Sequence, residues 1–462
     1  MIDAGVIVEP QRRVPVIDEP DVLVVGGGAA GLAAACAAAR AGARTLLVER
    51  YGFLGGTLTA VTLGGICGTH AAIGDDDVAR VVGGFYLEIE ARLRQRDAIM
   101  TPRRHGRIVG VPYDSEALKL VADEVVAHFG ARLLFHAQAV AAQVDGRRIT
   151  AVVLESRGGR VAVRPRMVID CSGDADVVAA AGAEYALGDN GTTQFGSTMF
   201  RLGNVDTAVA GRLSRAEIRE HLERAVAEGF DLPRTATGVH LNPVEGVVHL
   251  NVTRVRQPDG RPFDYTRRED ITAAELEGRR QASRYEAVFR RYVPGFANAR
   301  IIDIGAMVGI RETRLVKGVR TLTEAQVRAC EKPADRIACT AWPLEDHGEG
   351  RGTTWEFLPD GDWYGIPYGC LVARDLDNLL VAGRNLSATH LAQASARVAG
   401  PCFAMGEAAG IAATQALRHG RGAADIDVPA LQAALEREGA LLAPVLTADT
   451  PTLARDPASA RG

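Results

Sequence analysis

The sequence predicts an α/β fold, a parallel sheet covered by small-residue helices, with a second sheet-containing domain inserted into the chain. Three observations carry this. Val22–Val25 is a short apolar run followed at once by three glycines and the alanine-rich stretch Ala29–Ala41, which is the order strand, tight turn, helix. Thr45-Leu-Leu-Val48 then reads as a second buried parallel strand, completing a βαβ unit of about thirty residues. Near the C-terminus, Asn378-Leu-Leu-Val-Ala-Gly383 is again an apolar strand ending in glycine, and Gly400–Leu417 is again an Ala/Gly-rich helix pattern. The first unit therefore resumes after an excursion.

Composition bounds the function classes. At 462 residues the chain exceeds the size at which a single core stops growing, so two packed domains are expected. A formal charge of -4 gives no electrostatic footprint for nucleic acid. Seven scattered cysteines without a CxxC pair argue for a reducing compartment and against a zinc knuckle or iron–sulfur cluster. Charged residues precede any sustained apolar run at the N-terminus, and no uncharged stretch is long enough to span a bilayer. A cytoplasmic location is expected, with no metal and no membrane span.

Between the two ends of the unit, Ser115–His128 has helical spacing of Leu118, Val121, Ala122 and Val125, followed by strands at Arg132–Phe135, Ile149–Glu155, Val161–Val163 and Val168–Asp170. From about residue 190 to 365 the texture changes to alternating stretches such as Val247–Val255 and Ile301–Val308, separated by polar helices. The expected division is a nucleotide-binding part at 20–190, a substrate or cap domain at 191–365, a return of the first domain at 366–425, and a helix with a loose tail at 426–462.

The turn after the first strand reads Gly26-Gly27-Gly28-Ala29-Ala30-Gly31, a GxGxxG. Gly26 permits the tight turn, Gly28 lets the backbone approach a pyrophosphate, and Gly31 allows close helix–strand packing, while the helix N-terminus around Ala30 offers unpaired N–H groups to phosphate. Glu49 ends the next strand, eighteen residues beyond Gly31, where its carboxylate accepts hydrogen bonds from ribose hydroxyls. This is a Rossmann-like unit for a dinucleotide with free ribose hydroxyls. FAD and NAD both satisfy it.

After Glu49 the chain runs Arg50-Tyr-Gly-Phe-Leu-Gly55-Gly56-Thr57, and further on Val168-Ile-Asp-Cys-Ser172-Gly173-Asp-Ala-Asp176. Arg311-Glu-Thr-Arg314, Ile366-Pro-Tyr-Gly-Cys-Leu371, Asn378–His390 and Arg397–Gly410 follow in order. In these blocks the chain resembles the FAD-dependent oxidoreductase family of the glutathione-reductase-like flavoprotein fold, over roughly residues 10 to 420. The resemblance implies a three-layer ββα/βαβ organisation and FAD as cofactor. It implies that the loop at Arg50, Gly55, Gly56 and Thr57, the turn at Ser172 and Gly173, and the later Gly383, Arg384, Arg397 and Gly400 hold the flavin. It also implies a main-chain contact to adenine near Val140.

A flavin takes hydride without a protein nucleophile, so the protein must position substrate, exclude water and handle a proton. His390, past a strand's carboxyl end, and His347, beside Asp346, are the candidate acid–base groups. Arg311 is a candidate clamp for a carboxylate or for flavin O2, and Tyr368 a hydrogen-bond donor. His70, after the Gly-Gly loop, is a further group that could face the flavin. One GxGxxG and no redox CxxC leave no second NAD(P)H domain. The spacing of the halogenase tryptophan motif is missing around Trp363. The expected activity is hydride abstraction by a dehydrogenase or oxidase from a small polar molecule such as a polyol, sugar or hydroxy acid, with oxygen, a quinone or a protein carrier as acceptor. The alternatives are a monooxygenase or double-bond reductase using diffusible NAD(P)H, and a nonredox flavin-binding protein. A homo-oligomer is left open.

Overall fold

The computed structural model describes residues 5, 7, 9–74, 77–348 and 352–446, with the backbone of 454–455. Its centre is a five-stranded sheet in the order Leu379–Val381, Met167–Asp170, Val22–Val25, Thr45–Val48, Arg132–Leu134, parallel throughout. Strands of a parallel sheet covered on both faces read as unbroken apolar runs, and Val22–Val25 is buried at every position. Successive residues face opposite layers. Val22, Val24, Leu47 and Ile169 join a core with the helices. Leu23, Val25, Leu46, Val48 and Val168 join a second core under an antiparallel meander of Gln138–Asp145, Arg148–Ser156 and Gly159–Val163. The result is the three-layer, Rossmann-like arrangement the sequence suggested.

The helical layer holds Ala29–Arg40, Ser115–Phe129 and Ala399–His419. The first and last of these lie backbone to backbone. A Cβ on Gly406 would strike the Ala30 carbonyl, and one on Gly410 the Ala34 carbonyl. The alanines read from sequence as packing on the sheet thus also admit this second helix. Asn378 ties the sheet to the meander, accepting from Ile149 N–H at 2.9 Å and donating to Ile149 O at 2.9 Å.

A separate sheet, ordered His240–Leu241, Val248–Leu250, Phe200–Gly203, Arg300–Ile304, packs against the helices Arg215–Ala227 and Arg268–Tyr292 through Leu222, Tyr285, Phe289 and Phe296. The strands here are shorter than the alternation suggested. Val247–Val255 is a ladder only at Val248–Leu250, because side chains take over beyond it: Thr253 Oγ1 donates to Thr198 O at 2.7 Å, and Arg254 N–H donates to Gln281 Oε1. Ile301–Val308 likewise ends at Ile304, where Gly305 approaches the backbone of Val61 at 3.0 Å from its notional Cβ.

One boundary differs from expectation. The division at 365/366 falls inside the strand Tyr364–Pro367, which pairs with Arg336–Thr340. Leu322, Val327, Ile337, Tyr364 and Ile366 share the core of the first domain, so the return begins well before residue 366. The stretch 20–190 also carries a small antiparallel set, Ile66–Cys67, Arg103–His105 and Ile108–Val111, over the nucleotide unit. In the C-terminal stretch the helix Val428–Arg437 is present and Ala454–Arg455 pairs with Arg103–Arg104. The rest of the expected loose tail lies outside the described residues. Among the described residues no helix is long and apolar enough to cross a membrane.

Candidate functional site

A continuous cleft runs from the glycine turn to the second domain, lined by Gly26, Gly28, Ala30, Glu49, Arg50, Gly56 and Thr57 at one end. Gly26 has φ +99°, and a Cβ there would sit 2.5 Å from Cys171 O, so only glycine fits. Gly31 does not line the cleft. Its bare Cα packs against the Gly26 carbonyl, which is the close helix–strand contact its place in the motif requires. Gly28 is the informative one. A Cβ there would meet only Gly56 Cα, at 3.6 Å, so the space that its missing side chain leaves belongs to the cleft.

Two helices present their N-termini here. Ala29–Arg40 and Ala399–His419 both start without a side-chain cap, and Ala29, Ala30 and Ala399 line the cleft. Their first N–H groups have no intrahelical acceptor, which makes two sites for negative charge on one cleft. Gly55 N–H donates to Gly27 O at 2.8 Å, bringing the Gly55–Gly56 loop against the phosphate turn. Gly55 itself is behind the lining, where it supports Gly56.

Glu49 is buried, accepting from Gly27 N–H at 2.7 Å and Tyr51 N–H at 2.9 Å, with its carboxylate on the cleft. Each oxygen keeps a second lone pair for a ribose hydroxyl. Arg50 and Arg384 flank Asp174: Arg384 Nη2 bonds Oδ1 at 2.6 Å, and Arg50 Nη1 lies 3.9 Å from Oδ2. Ser172, Gly173, Gly383 and Arg397 also line the cleft.

Three cofactor expectations are corrected. Val140 is 41% exposed at a bulge between Ala139 and Ala141, and the meander reaches the cleft through Ala137, Gln138 and Ala139 instead. Gly400 does not face the cleft. A Cβ there would strike Gly68 O, so it serves the packing of the 64–68 loop while Val398, Ala399 and Cys402 do the lining. His70 is buried off the cleft, bonded to Thr69 Oγ1 at 3.0 Å, and burial followed by the Arg80 charge pushes it down to about 4.

The expected catalytic set divides. Arg311 lines the cleft and is buried, its Nη1 donating to Phe195 O at 2.7 Å and Ser197 Oγ at 3.0 Å. His390, Tyr368 and His347 are all elsewhere. His390 begins the helix His390–Ala396 between two carboxylates, Nδ1 at 2.7 Å from Glu312 Oε2 and Nε2 at 3.3 Å from Asp346 Oδ1. Burial opposes its charge, but the bonds to Asp346 and Glu312 outweigh burial and raise it to about 10. Two carboxylates thus favour the charged ring. Tyr368 is buried in a 3-10 turn and spends its hydroxyl on Ala423 O at 2.7 Å.

His347 stands behind Glu345, a cleft residue that the sequence reading missed. Burial, then the Arg311 charge, lowers His347 to about 3, so the neutral ring donates from Nε2 to Glu345 Oε1 at 2.9 Å while Nδ1 faces Thr353 Oγ1 at 3.2 Å. Trp342 Nε1 donates to the other oxygen, Glu345 Oε2, at 3.0 Å. Burial works against the Glu345 charge, yet the His347 bond and the nearby Arg397 and Arg311 hold it down to about 2. Trp342, Met199, Asn251 and Ile310 complete this end, while Met307 meets Arg50 at the other, Nη2 to Sδ 3.7 Å. No local pattern marks them, since they come from four separated segments.

An uncapped helix start, an acid at the ribose position and a glycine opening onto the cleft suit the ADP moiety of a dinucleotide. The opposite, largely apolar end suits a flat ring with a substrate beside it. The class is thus a Rossmann-like flavoprotein oxidoreductase. The chain belongs to the FAD dependent oxidoreductase family, which matches residues 21–435. FAD is its cofactor.

Among solved structures, a geranylgeranyl bacteriochlorophyll reductase-like protein from Thermoplasma acidophilum is similar at 13% identity, over 91% of this chain and 83% of that one, with a TM-score of 0.47. The p-nitrophenol 4-monooxygenase of Pseudomonas putida aligns at 14% identity over 91% and 81%, TM-score 0.44. A flavin-dependent brominase aligns at 12% over 91% and 83%, TM-score 0.44.

Proposed function

We propose that the protein oxygenates or reduces a small organic substrate with electrons from freely diffusing NAD(P)H, in place of the alcohol dehydrogenation that its sequence first suggested. The observation behind this is that, among the described residues, none beside the substrate end of the cleft is placed to accept a proton near working pH. Hydride abstraction from an alcohol needs a base within reach of the hydroxyl proton, with a pKa near the working pH. None of the described residues lining the cleft is a histidine, and Asp176, which burial and the Asp174 charge raise to about 6, sits toward the nucleotide end with Arg314 and Arg50. His390 is already protonated between two acids, Tyr368 is spent on a carbonyl, and Glu345 at about 2 is too weak a base.

Bound FAD accepts hydride and, once reduced, supplies electrons to oxygen or to a double bond. The chain's share of that work is positioning and water exclusion. Val61, Leu63, Met199, Met307, Ile310 and Trp342 wall the cleft with apolar surface that limits water access. The single GxGxxG fits a nicotinamide that comes and goes.

Anaerobic mixing of the holoprotein with NADH or NADPH tests the reading through the visible flavin absorbance. Bleaching by a nicotinamide, and none by polyols, sugars or hydroxy acids alone, is expected. Bleaching by one of those alcohols without a nicotinamide would return the protein to the dehydrogenases.

A further inference from the structure

At the substrate end of the cleft, Arg311 and Arg397 approach from opposite domains. Arg311 follows the Gly309–Ile310 segment of the second domain, and Arg397 immediately precedes the helix Ala399–His419. Neither guanidinium forms an ion pair with a carboxylate among the described residues. Arg311 is 7% exposed and anchored through Nη1 alone. Arg397 donates from Nη2 to Gln194 Oε1 at 3.3 Å, while its Nε is buried without a partner. A buried polar atom left unpaired costs about 1–3 kcal/mol, and the Arg397 Nε–H is a donor that asks for an acceptor on the ligand.

The charges decide which ligand. The charged groups lining this end are Arg311, Arg397 and Glu345, a net of one positive charge. Arg234 and Arg254 stand just behind, donating to the carbonyls of Asn251 and His347 respectively, His347 is neutral, and Glu312 and Asp346 beyond them share His390, so the positive sign stands. The pyrophosphate of the cofactor belongs at the far end, with Gly28, and an oxidised flavin ring is uncharged. A monoanion at the substrate end would be the missing counter-charge. We infer that the substrate carries a carboxylate, bound between Arg311 and Arg397 with its apolar body against Met199 and Trp342. Planar guanidinium groups match carboxylate geometry. Burial, then the like charge of Arg397, lowers Arg311 to about 9, the cost expected of a cation waiting for an anion.

This rests on the cleft's being the substrate site of the function proposed above, and the test separates the two. The FAD-loaded protein is titrated with benzoate, phenylacetate, hexanoate and cyclohexanecarboxylate, each against its neutral carboxamide, and the flavin spectrum is followed. At least one acid should perturb the spectrum and bind about tenfold or more tighter than its amide, a difference of about 1.4 kcal/mol. Arg311→Met should erase that preference and Arg311→Lys should keep part of it, with flavin content as the check on folding. If no acid outbinds its amide while NAD(P)H still bleaches the flavin, the carboxylate inference is overturned and the proposed function stands. If acids bind selectively but NAD(P)H does not bleach the flavin, the inference stands and the proposed function falls.

Discussion

Replacing His390 with Gln separates a structural cation from a catalytic base. The ring lies between Glu312, whose side chain is fully buried, and Asp346. Removing it leaves two neighbouring carboxylates without their shared cation, and breaking a buried pair this way costs about 3–5 kcal/mol. Linkage gives a similar ceiling. A rise from 6.5 to about 10, at about 1.36 kcal/mol per unit, is about 5 kcal/mol. Because the folded value is raised, the contribution is complete below about pH 6.5 and is lost as pH climbs through 10. Urea midpoints at saturating FAD should therefore show the variant far less stable than the parent at pH 6.5, with the gap closing toward pH 10. Flavin reduction by NAD(P)H in the folded fraction should survive. A variant within about 1 kcal/mol of the parent at both pH values, yet unable to turn over, would refute this and restore His390 as the base.

Glu49→Ala removes the acceptor for two backbone N–H groups as well as the ribose contact. FAD should dissociate at least about tenfold more readily on ultrafiltration, and undiminished flavin content would remove Glu49 from the site. Tyr368→Phe gives up only the bond to Ala423 O. It should cost about 1 kcal/mol in a denaturant midpoint and leave the flavin reduction rate unchanged, whereas a large loss of rate at intact stability would return Tyr368 to the chemistry.

The nucleotide half was legible because its constraints are local. Gly26, Gly28 and Gly31 answer to a turn, an open approach and a close packing within six residues, and Glu49 follows at the end of the next strand. The alternation of Leu23, Val25, Leu46 and Val48 against Val22, Val24 and Leu47 encodes both faces of the sheet. Val140 lies one residue beyond the part of the meander that lines the cleft, because a bulge at 139–141 shifts the strand. The substrate end was illegible for a different reason. His390 meets Glu312 and Asp346 across 78 and 44 residues, and Glu345 gains its character from His347, Trp342 and two distant arginines. The arginines and the two acids come from distant segments that no local spacing announces, so a histidine past a strand end reads as a base until both acids are seen.

Gly28→Ala tests most directly the claim that this cleft is built around FAD. Gly28 has φ −73° and ψ −171°, which alanine adopts without strain, and the new Cβ would come no closer to protein than 3.6 Å. The fold should tolerate it within about 0.5 kcal/mol, while the methyl group occupies space that the pyrophosphate needs, a conflict worth about 1–3 kcal/mol. The account predicts an apoprotein that unfolds at the parent's temperature and binds FAD about tenfold or more weakly. A variant that folds normally and keeps its full complement of FAD would contradict it.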